Sequence, residues 1–220
     1  MRKIKIIPGE YYHVFNRGNN KQKIFLDKRD YIRFLFLTLY FQSPTIFYNI
    51  GRQVSYFIKN NVFNVSIDND IEIIKKRYIE LVSFILMPNH FHLILLEKEE
   101  DGISRYMQRV LDAYTKYFNT KYEKSGHLFQ GPFKFVHVKD NDQLLYLSTY
   151  IHRNIKELKN WRNTEHLYTW SSYQDYIKKN RWKNLLSHQI ITEQFSNKDD
   201  YKNFTDSSPA KSDIDDLLID

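Results

Sequence analysis

The segment LVSFILMPNHFHLILLE, residues 81–97, consists of two apolar runs separated by Pro88 and Asn89. Each run has the length of a buried strand, and a Pro-Asn pair between two such runs is typical of a tight turn. Strands joined by so short a turn run antiparallel. The segment therefore predicts a β-hairpin with strands at 81–87 and 90–97.

Strand and helix patterns alternate on both sides of this hairpin. The other predicted elements are a strand at 11–17, a helix at 31–41 with Asp30 as its N-cap, a helix at 103–122, a strand at 133–139 and a helix at 143–159. With residues 43–80 set aside as an insertion after the first helix, the order is βαββαβ followed by one more helix. We therefore predict an α+β fold of ferredoxin-like or RRM-like type, with an antiparallel sheet and helices on one face.

The length of 220 residues suits a single domain. We predict one domain over residues 1–205, which includes the insertion at 43–80 and a C-terminal helical extension from residue 160. Five Asp and one Lys lie among residues 206–220. A tail of this acidic, Ser-rich composition is expected to be disordered.

The composition excludes several classes of protein. Because the chain has no Cys, it has no disulfide framework, thiolate zinc site or cysteine nucleophile. Six Gly in the whole chain argue against a glycine-rich phosphate loop. No apolar run approaches the roughly 20 residues of a membrane span, so we expect a cytoplasmic protein without a membrane partner.

The charge and the aromatic content favour a nucleic-acid partner. The chain has a formal net charge of +7, and 16% of its residues are aromatic. A basic body with many rings suits a polyanion whose bases can stack. A basic protein with no polyanion partner is the alternative that charge alone leaves open.

His90 and His92 are the first candidate site residues. Side chains two apart on a strand point to the same face, so both imidazoles project together while Phe91 enters the opposite layer. Two imidazoles on a rigid strand supply two ligands of a metal site, which needs a third group from elsewhere. An isolated His-x-His pair is also compatible with two unrelated polar residues at the start of a strand.

Tyr150 and Asn154 are the second candidate pair. They are four residues apart in the predicted third helix and therefore lie one above the other. Asn is a mediocre helix former, which suggests that its amide oxygen has a use. The chain contains 17 Tyr, and the pattern alone does not distinguish Tyr150 from Tyr114 or Tyr117.

Five segments together resemble one known family. SFILMPNHFHLIL contains a His-hydrophobic-His segment, and the other four are YYHVFNRGNNKQKIF (11–25), ISRYMQRVLDAYTKYFNTKYEKSGHLFQGPFK (103–134), YIHRN (150–154) and TWSSYQDY (169–176). In this order they resemble the single-tyrosine transposases of the HUH endonuclease superfamily, in the REP-associated, insertion-sequence-200-like branch. Two departures from that branch are Ile155, where a Pro usually follows the helix Asn, and the long insertion at 43–80.

The resemblance implies a mechanism and a cofactor. Tyr150 would attack a DNA phosphodiester and form a 5′-phosphotyrosine, with Asn154 as the second catalytic residue. His90 and His92 would hold Mg²⁺ or Mn²⁺, with Asn154 as a third ligand or as a residue that orders one. The implied activity is that of a metal-dependent single-stranded DNA endonuclease and strand transferase acting at palindromic hairpin repeats.

Polar and basic residues outside this centre are candidates for DNA contacts. They lie on the loop after the first strand, on the middle helix and beyond it, and at the end of the third helix: Asn16, Arg17, Asn19, Lys21, Arg105, Arg109, Gln130, Lys134 and Arg153. Arg17 and Gln130 are preferred, because the resemblance places both in shared segments.

Two other functions remain open at this point. One is an RRM-like nucleic-acid-binding module without catalysis, which would not require His90, His92 and Tyr150 together. The other is a phosphoesterase that uses two His and a water molecule. We expect a monomer rather than a homodimer, because the REP-associated branch is more often complete in one chain.

Overall fold

The computed structural model describes residues 5–208. Its centre is an antiparallel sheet of four strands, β1 (Tyr11–Arg17), β2 (Ile79–Met87), β3 (His90–Glu97) and β4 (Lys134–His137), in the order β2-β3-β1-β4. This strand order is the one that a βαββαβ connection produces in a ferredoxin-like fold. The predicted fold class is therefore confirmed.

The hairpin of β2 and β3 forms the buried centre of the sheet. Met87 pairs with His90, so Pro88 and Asn89 alone make the turn. A register shift between Leu81 and Ser83 marks a β-bulge in β2. Nearly every residue of both strands is buried, because layers of helices cover both faces of the sheet.

The two helices that belong to the βαββαβ core lie on one face, as predicted. They are α1 (Lys28–Tyr40) and α4 (Gly102–Lys121), and their apolar sides pack in one cluster with Phe91, Leu93 and Leu95 of β3. Helix α1 begins one turn earlier than predicted. Asp27 is its N-cap, and Asp30, the predicted N-cap, is the third helical residue in a capping box with Asp27.

The helix that follows the core covers the opposite face. It is α5 (Asn141–Arg153), and it packs in a second cluster with Val82, Ile85 and Ile94. The helix ends six residues before the predicted end at 159, and short 3-10 turns follow it. The sequence pattern missed this end because Ile155 and Leu158 remain apolar and packed after the α-helix has stopped.

The predicted insertion and extension both have structure. Helices α2 (Ile50–Asn60) and α3 (Ile67–Lys76) lie between α1 and β2, although residues 79 and 80 of the predicted insertion already belong to β2. The C-terminal extension contains α6 (Tyr173–Ile177), α7 (Gln189–Thr192) and α8 (Lys198–Ser207). Backbone bonds from Leu86 to Trp170 and from Ser172 to Phe84 cover the outer edge of β2.

The predicted start of the disordered tail, residue 206, is too early in the chain. Asp206 and Ser207 lie in α8, and Ser208 is buried beside α5. The rest of the predicted tail lies outside the described residues. Within residues 5–208, no helix is long and apolar enough to cross a membrane.

Candidate active site

The sheet register brings five side chains to the face below α5. Phe15 of β1 pairs with His92 of β3, and Arg17 pairs with His90. Directly paired residues in antiparallel strands share a face, and so do residues two apart on one strand. His13, Phe15, Arg17, His90 and His92 therefore form one surface at the end of the sheet where the hairpin turns.

His92 is a buried, neutral imidazole. Its Nδ1 lies 2.8 Å from Nε2 of His13, and the two rings lie edge to edge and nearly coplanar, with their centroids 5.0 Å apart. Burial, and after it the neighbouring His13 and His90, hold the pKa of His92 well below its ordinary value. A neutral imidazole keeps a nitrogen lone pair, which is the form that binds a metal.

His90 is held on both ring nitrogens. Asn89 donates its amide to the Lys21 carbonyl over 3.3 Å and so turns Oδ1 to Nδ1 of His90, 2.7 Å away. An amide oxygen only accepts hydrogen bonds, so Nδ1 carries the proton and Nε2 carries the lone pair. That lone pair faces Oδ1 of Asn154 at 3.1 Å.

Two acceptors at this distance need a positive charge between them. Either a proton on His90 or a bound cation satisfies Nε2 of His90 and Oδ1 of Asn154 together. In an octahedral site with ligand distances of about 2.1 Å, adjacent ligands lie about 3 Å apart. The pair therefore suits two adjacent ligands of a divalent metal, with His92 as a third.

The donor set is mixed rather than all acidic or imidazole. Within residues 5–208, no group of three His, Cys, Asp or Glu side chains is arranged to hold a metal. Two imidazoles and one amide oxygen suit Mn²⁺ at least as well as Mg²⁺, which prefers oxygen ligands.

Tyr150 of α5 lies against this surface. Its ring meets His92 edge-on with the centroids 5.7 Å apart, and it meets His13 edge-on at 6.4 Å. Tyr114 and Tyr117 lie on α4, on the other side of the sheet. Their hydroxyls donate to the Ile24 carbonyl and to Asp30 respectively. The structure therefore distinguishes Tyr150 from the two alternatives that the sequence left open.

A buried polar cluster fixes the helix that carries Tyr150. His152 is fully buried, and its Nε2 lies 3.0 Å from the Ser83 hydroxyl and 2.8 Å from that of Ser172. Its Nδ1 lies 2.8 Å from the Tyr201 hydroxyl of α8. Burial lowers the pKa of His152 to about 3, so the ring is neutral. This cluster joins α5 to the sheet and to the C-terminal extension.

Several of the predicted DNA contacts surround this surface. Arg17 is half-buried at the end of β1, and Lys134 is exposed and pairs with Phe15 on the same face. Asn19, Lys21 and Gln130 are exposed on the adjoining loops. The backbone N–H of Gln130 donates to the Arg17 carbonyl. These five residues form an open polar and basic rim near the two imidazoles.

The other four predicted contacts have partners within the fold. Asn16 is buried on the opposite face, where it donates to the Gly131 carbonyl. Arg105 forms an ion pair with Glu99 beyond the far end of β3. Arg109 donates to the carbonyls of Ser43 and Thr45 and so holds the start of the insertion. Arg153 donates to the Ser208 carbonyl. Each of these side chains therefore has a structural partner within the fold.

Two residues of this surface and its turn, His13 and Asn89, were not predicted from the sequence. Both lie inside the quoted segments, but a single His on a strand carries no spacing signal. The contact of His13 with His92 depends on the register between β1 and β3, which no local pattern specifies. Asn89 was assigned only to the turn, although it directly precedes His90.

Comparisons with known proteins agree with this fold. The family model described as an IS200-like transposase matches residues 55–154. A solved structure of a REP-associated tyrosine transposase bound to a REP hairpin is similar, with a TM-score of 0.50 and 15% sequence identity, over 89% of this chain and 94% of that chain. At this identity the likeness shows the fold. No curated protein matches the chain.

The matched range contains both imidazoles, the candidate nucleophile and the third candidate ligand. It starts inside the segment that was predicted as an insertion, and it does not reach β1. Residues 55–154 thus match the IS200-like transposase family, which confirms the resemblance found in the sequence.

Proposed function

We propose that this protein is a metal-dependent single-stranded DNA endonuclease and strand transferase with Tyr150 as its nucleophile. The observation that carries the proposal is the convergence of Tyr150, His90, His92 and Asn154 on one sheet face. These residues come from β3 and from the end of α5, which are far apart along the chain. Their meeting supplies a nucleophile and a set of metal ligands at one place.

The proposed reaction exchanges one phosphate ester for another. The Tyr150 oxygen forms a bond to phosphorus, and the bond from phosphorus to the 3′ oxygen breaks. The phenol loses its proton to solvent, and the released 3′ oxygen takes one up. Because the 5′-phosphotyrosine keeps the energy of the ester bond, the 3′-hydroxyl of another strand can reverse the step without ATP.

His90, His92 and Asn154 would hold a divalent ion, Mn²⁺ or Mg²⁺. When bound, such an ion neutralises charge that develops on the phosphate oxygens. Burial keeps His92 neutral and ready to bind, and Asn154 places its oxygen beside Nε2 of His90. The half-buried Tyr150 ring contacts the His92 ring edge-on. Tyr150 is therefore proposed as the nucleophile beside the metal ligands and not as a ligand itself.

The proposed substrate is single-stranded DNA next to a palindromic hairpin. The rim of Arg17, Asn19, Lys21, Gln130 and Lys134 offers cationic and amide groups for phosphates and base edges. The REP-associated transposase with a similar fold is itself bound to a REP hairpin. Because one chain supplies every group of the site, we propose that the monomer is active, and a solution mass measurement tests this.

The deciding experiment is a search for the covalent intermediate. Hairpin-tipped single-stranded DNA labelled at its 3′ end is incubated with the protein and Mn²⁺ and resolved on a denaturing gel. We expect a labelled protein band that Tyr150→Phe abolishes while hairpin binding is kept. Tyr146→Phe, one turn earlier on the same helix, is the matched control and should still form the adduct. His90→Ala should remove the metal-dependent cleavage.

The same experiment separates the two rival functions. A binding module without catalysis would shift the hairpin but neither cleave it nor form an adduct. A phosphoesterase that uses water would cleave the DNA in the Tyr150→Phe variant and never become labelled. Either result would overturn the proposal.

A further inference from the structure

His13 occupies a position in the site that the proposed chemistry does not use directly. It is fully buried on β1, opposite Ile94 of β3 and Val136 of β4. A polar ring in the middle of a sheet carries a desolvation cost unless its nitrogens find partners. Its Nε2 finds one in Nδ1 of His92 at 2.8 Å.

This contact restricts how His92 can present its ring. With Nδ1 directed at His13, Nε2 is the ring nitrogen left to face a ligand. A nitrogen that binds a cation must carry a lone pair, so the proton of neutral His92 must reside on Nδ1. Nε2 of His13 then accepts a hydrogen bond from this Nδ1–H group. The planes of the two imidazole rings differ by only 19°, which suits a hydrogen bond in the ring plane, and Phe15, from the same strand as His13, stacks on His92.

His90 is held in an equivalent way by a different residue. Its Nδ1 donates to Asn89, and its Nε2 points at Asn154. Both imidazoles therefore use Nδ1 for a partner within the protein and keep Nε2 for the site. Partners of this kind orient ligating imidazoles and fix their tautomers in metal sites generally.

We propose that His13 is a positioning residue that fixes the tautomer and the ring orientation of His92, so that Nε2 of His92 is directed to the site. The inference rests on the proposed function, since it concerns a ligand of the proposed metal. It adds β1 to the machinery of the site, although β1 lies outside the range matched by the family model.

Three variants test this role. His13→Phe keeps an aromatic ring against Phe15 and Tyr150 but removes the acceptor. His13→Gln restores a polar end group near the position of Nε2. His137→Gln removes a half-exposed histidine of β4 that is paired with Glu10 and serves as the matched control.

The first measurement is the affinity for Mn²⁺ without DNA, by titration calorimetry. We expect His13→Phe to weaken Mn²⁺ binding about 10- to 100-fold, with His13→Gln recovering most of that loss. His137→Gln should match the unaltered protein, and all variants should bind the hairpin equally in the absence of metal. Unchanged Mn²⁺ affinity in His13→Phe would overturn the inference. Equal losses in the Phe and Gln variants, together with lowered melting temperatures, would also overturn it by showing a purely structural role.

The second measurement is independent of metal binding and of catalysis. Long-range ¹H–¹⁵N correlation spectra report which imidazole nitrogen carries the proton. In the metal-free protein we expect His92 to be protonated on Nδ1, and we expect His13→Phe to make its tautomer mixed. Protonation of His92 on Nε2 would refute the inference even if the proposed function holds. Conversely, an unaltered protein that binds no Mn²⁺ but shows the Nδ1 tautomer would contradict only the metal-dependent function.

Discussion

Acidification should destabilise this protein through His152. This residue belongs to α5, the helix that carries Tyr150, and its imidazole is buried between α5 and the sheet. Burial lowers the pKa of His152 in the folded protein to about 3, against an ordinary value of 6.5. Between these two values the unfolded chain binds a proton that the folded chain does not bind, so stability rises with pH. The contribution of neutral His152 is therefore complete above pH 6.5 and is lost progressively as the pH falls towards 3.

The size of the effect follows from the width of this window. Each pH unit below 6.5 removes about 1.4 kcal/mol while the folded ring stays neutral. At pH 4.5 the loss is therefore about 3 kcal/mol, a large part of the stability of an ordinary domain. Burial also lowers the pKa of His92, which adds a loss of the same sign, so a comparison of variants is needed.

Urea unfolding of the unaltered protein and of His152→Phe at pH 7.5 and pH 4.5 isolates this residue. At pH 7.5 the variant should be less stable by about 1.5 to 4 kcal/mol, because the ring loses its bonds to Ser83, Ser172 and Tyr201. Ser83, Ser172 and Tyr201 keep other partners, which limits the cost. Between the two pH values the variant should lose about 3 kcal/mol less than the unaltered protein. Equal losses in both proteins would refute the reasoning.

Three further predictions concern the fold and the rim. Asp30→Ala should lower the free energy of unfolding by about 3 to 5 kcal/mol in urea titrations, because Asp30 is fully buried and accepts from Tyr117, Lys121 and Tyr122; a loss below about 1 kcal/mol would contradict this. Phe91→Ala should cost about 3 to 5 kcal/mol in the same assay through the cavity it leaves between sheet and helices, and a shift no larger than that of a surface variant would count against this core assignment. Lys134→Ala should weaken hairpin binding and reduce the slope of log affinity against log salt by about 1, whereas Arg105→Ala should leave both unchanged. Equal effects of the two substitutions would show that the DNA path does not follow the rim.

The elements with strong local signals were predicted well from the sequence. The strands at 11–17 and 90–97 have the predicted bounds, because Gly18 ends a run of β-branched and aromatic residues and the Pro-Asn turn marks the start of an apolar run. Helix ends were predicted less well. The N-cap is Asp27 rather than Asp30, since both are acidic residues before the same apolar run and only the folded capping box distinguishes them.

The candidate site was identified in part from residue types and spacing. His90, His92, Tyr150 and Asn154 were named from their period on a strand or a helix and from the family resemblance. Asn16, Arg105, Arg109 and Arg153 are polar or basic in the sequence, but their side chains have partners within the protein. Charge alone does not reveal whether a cation faces solvent or a carbonyl.

Local periodicity was sufficient for the order of strands and helices and for the common face of His90 and His92. It depends on neighbours two to four residues apart, which the sequence itself displays. The contact of His13 with His92, the placement of α5 over that face and the burial of His152 arise from contacts between residues 20 to 79 positions apart. Such contacts form only when the chain folds, because the burial of the whole core determines the sheet register and the docking of the helices.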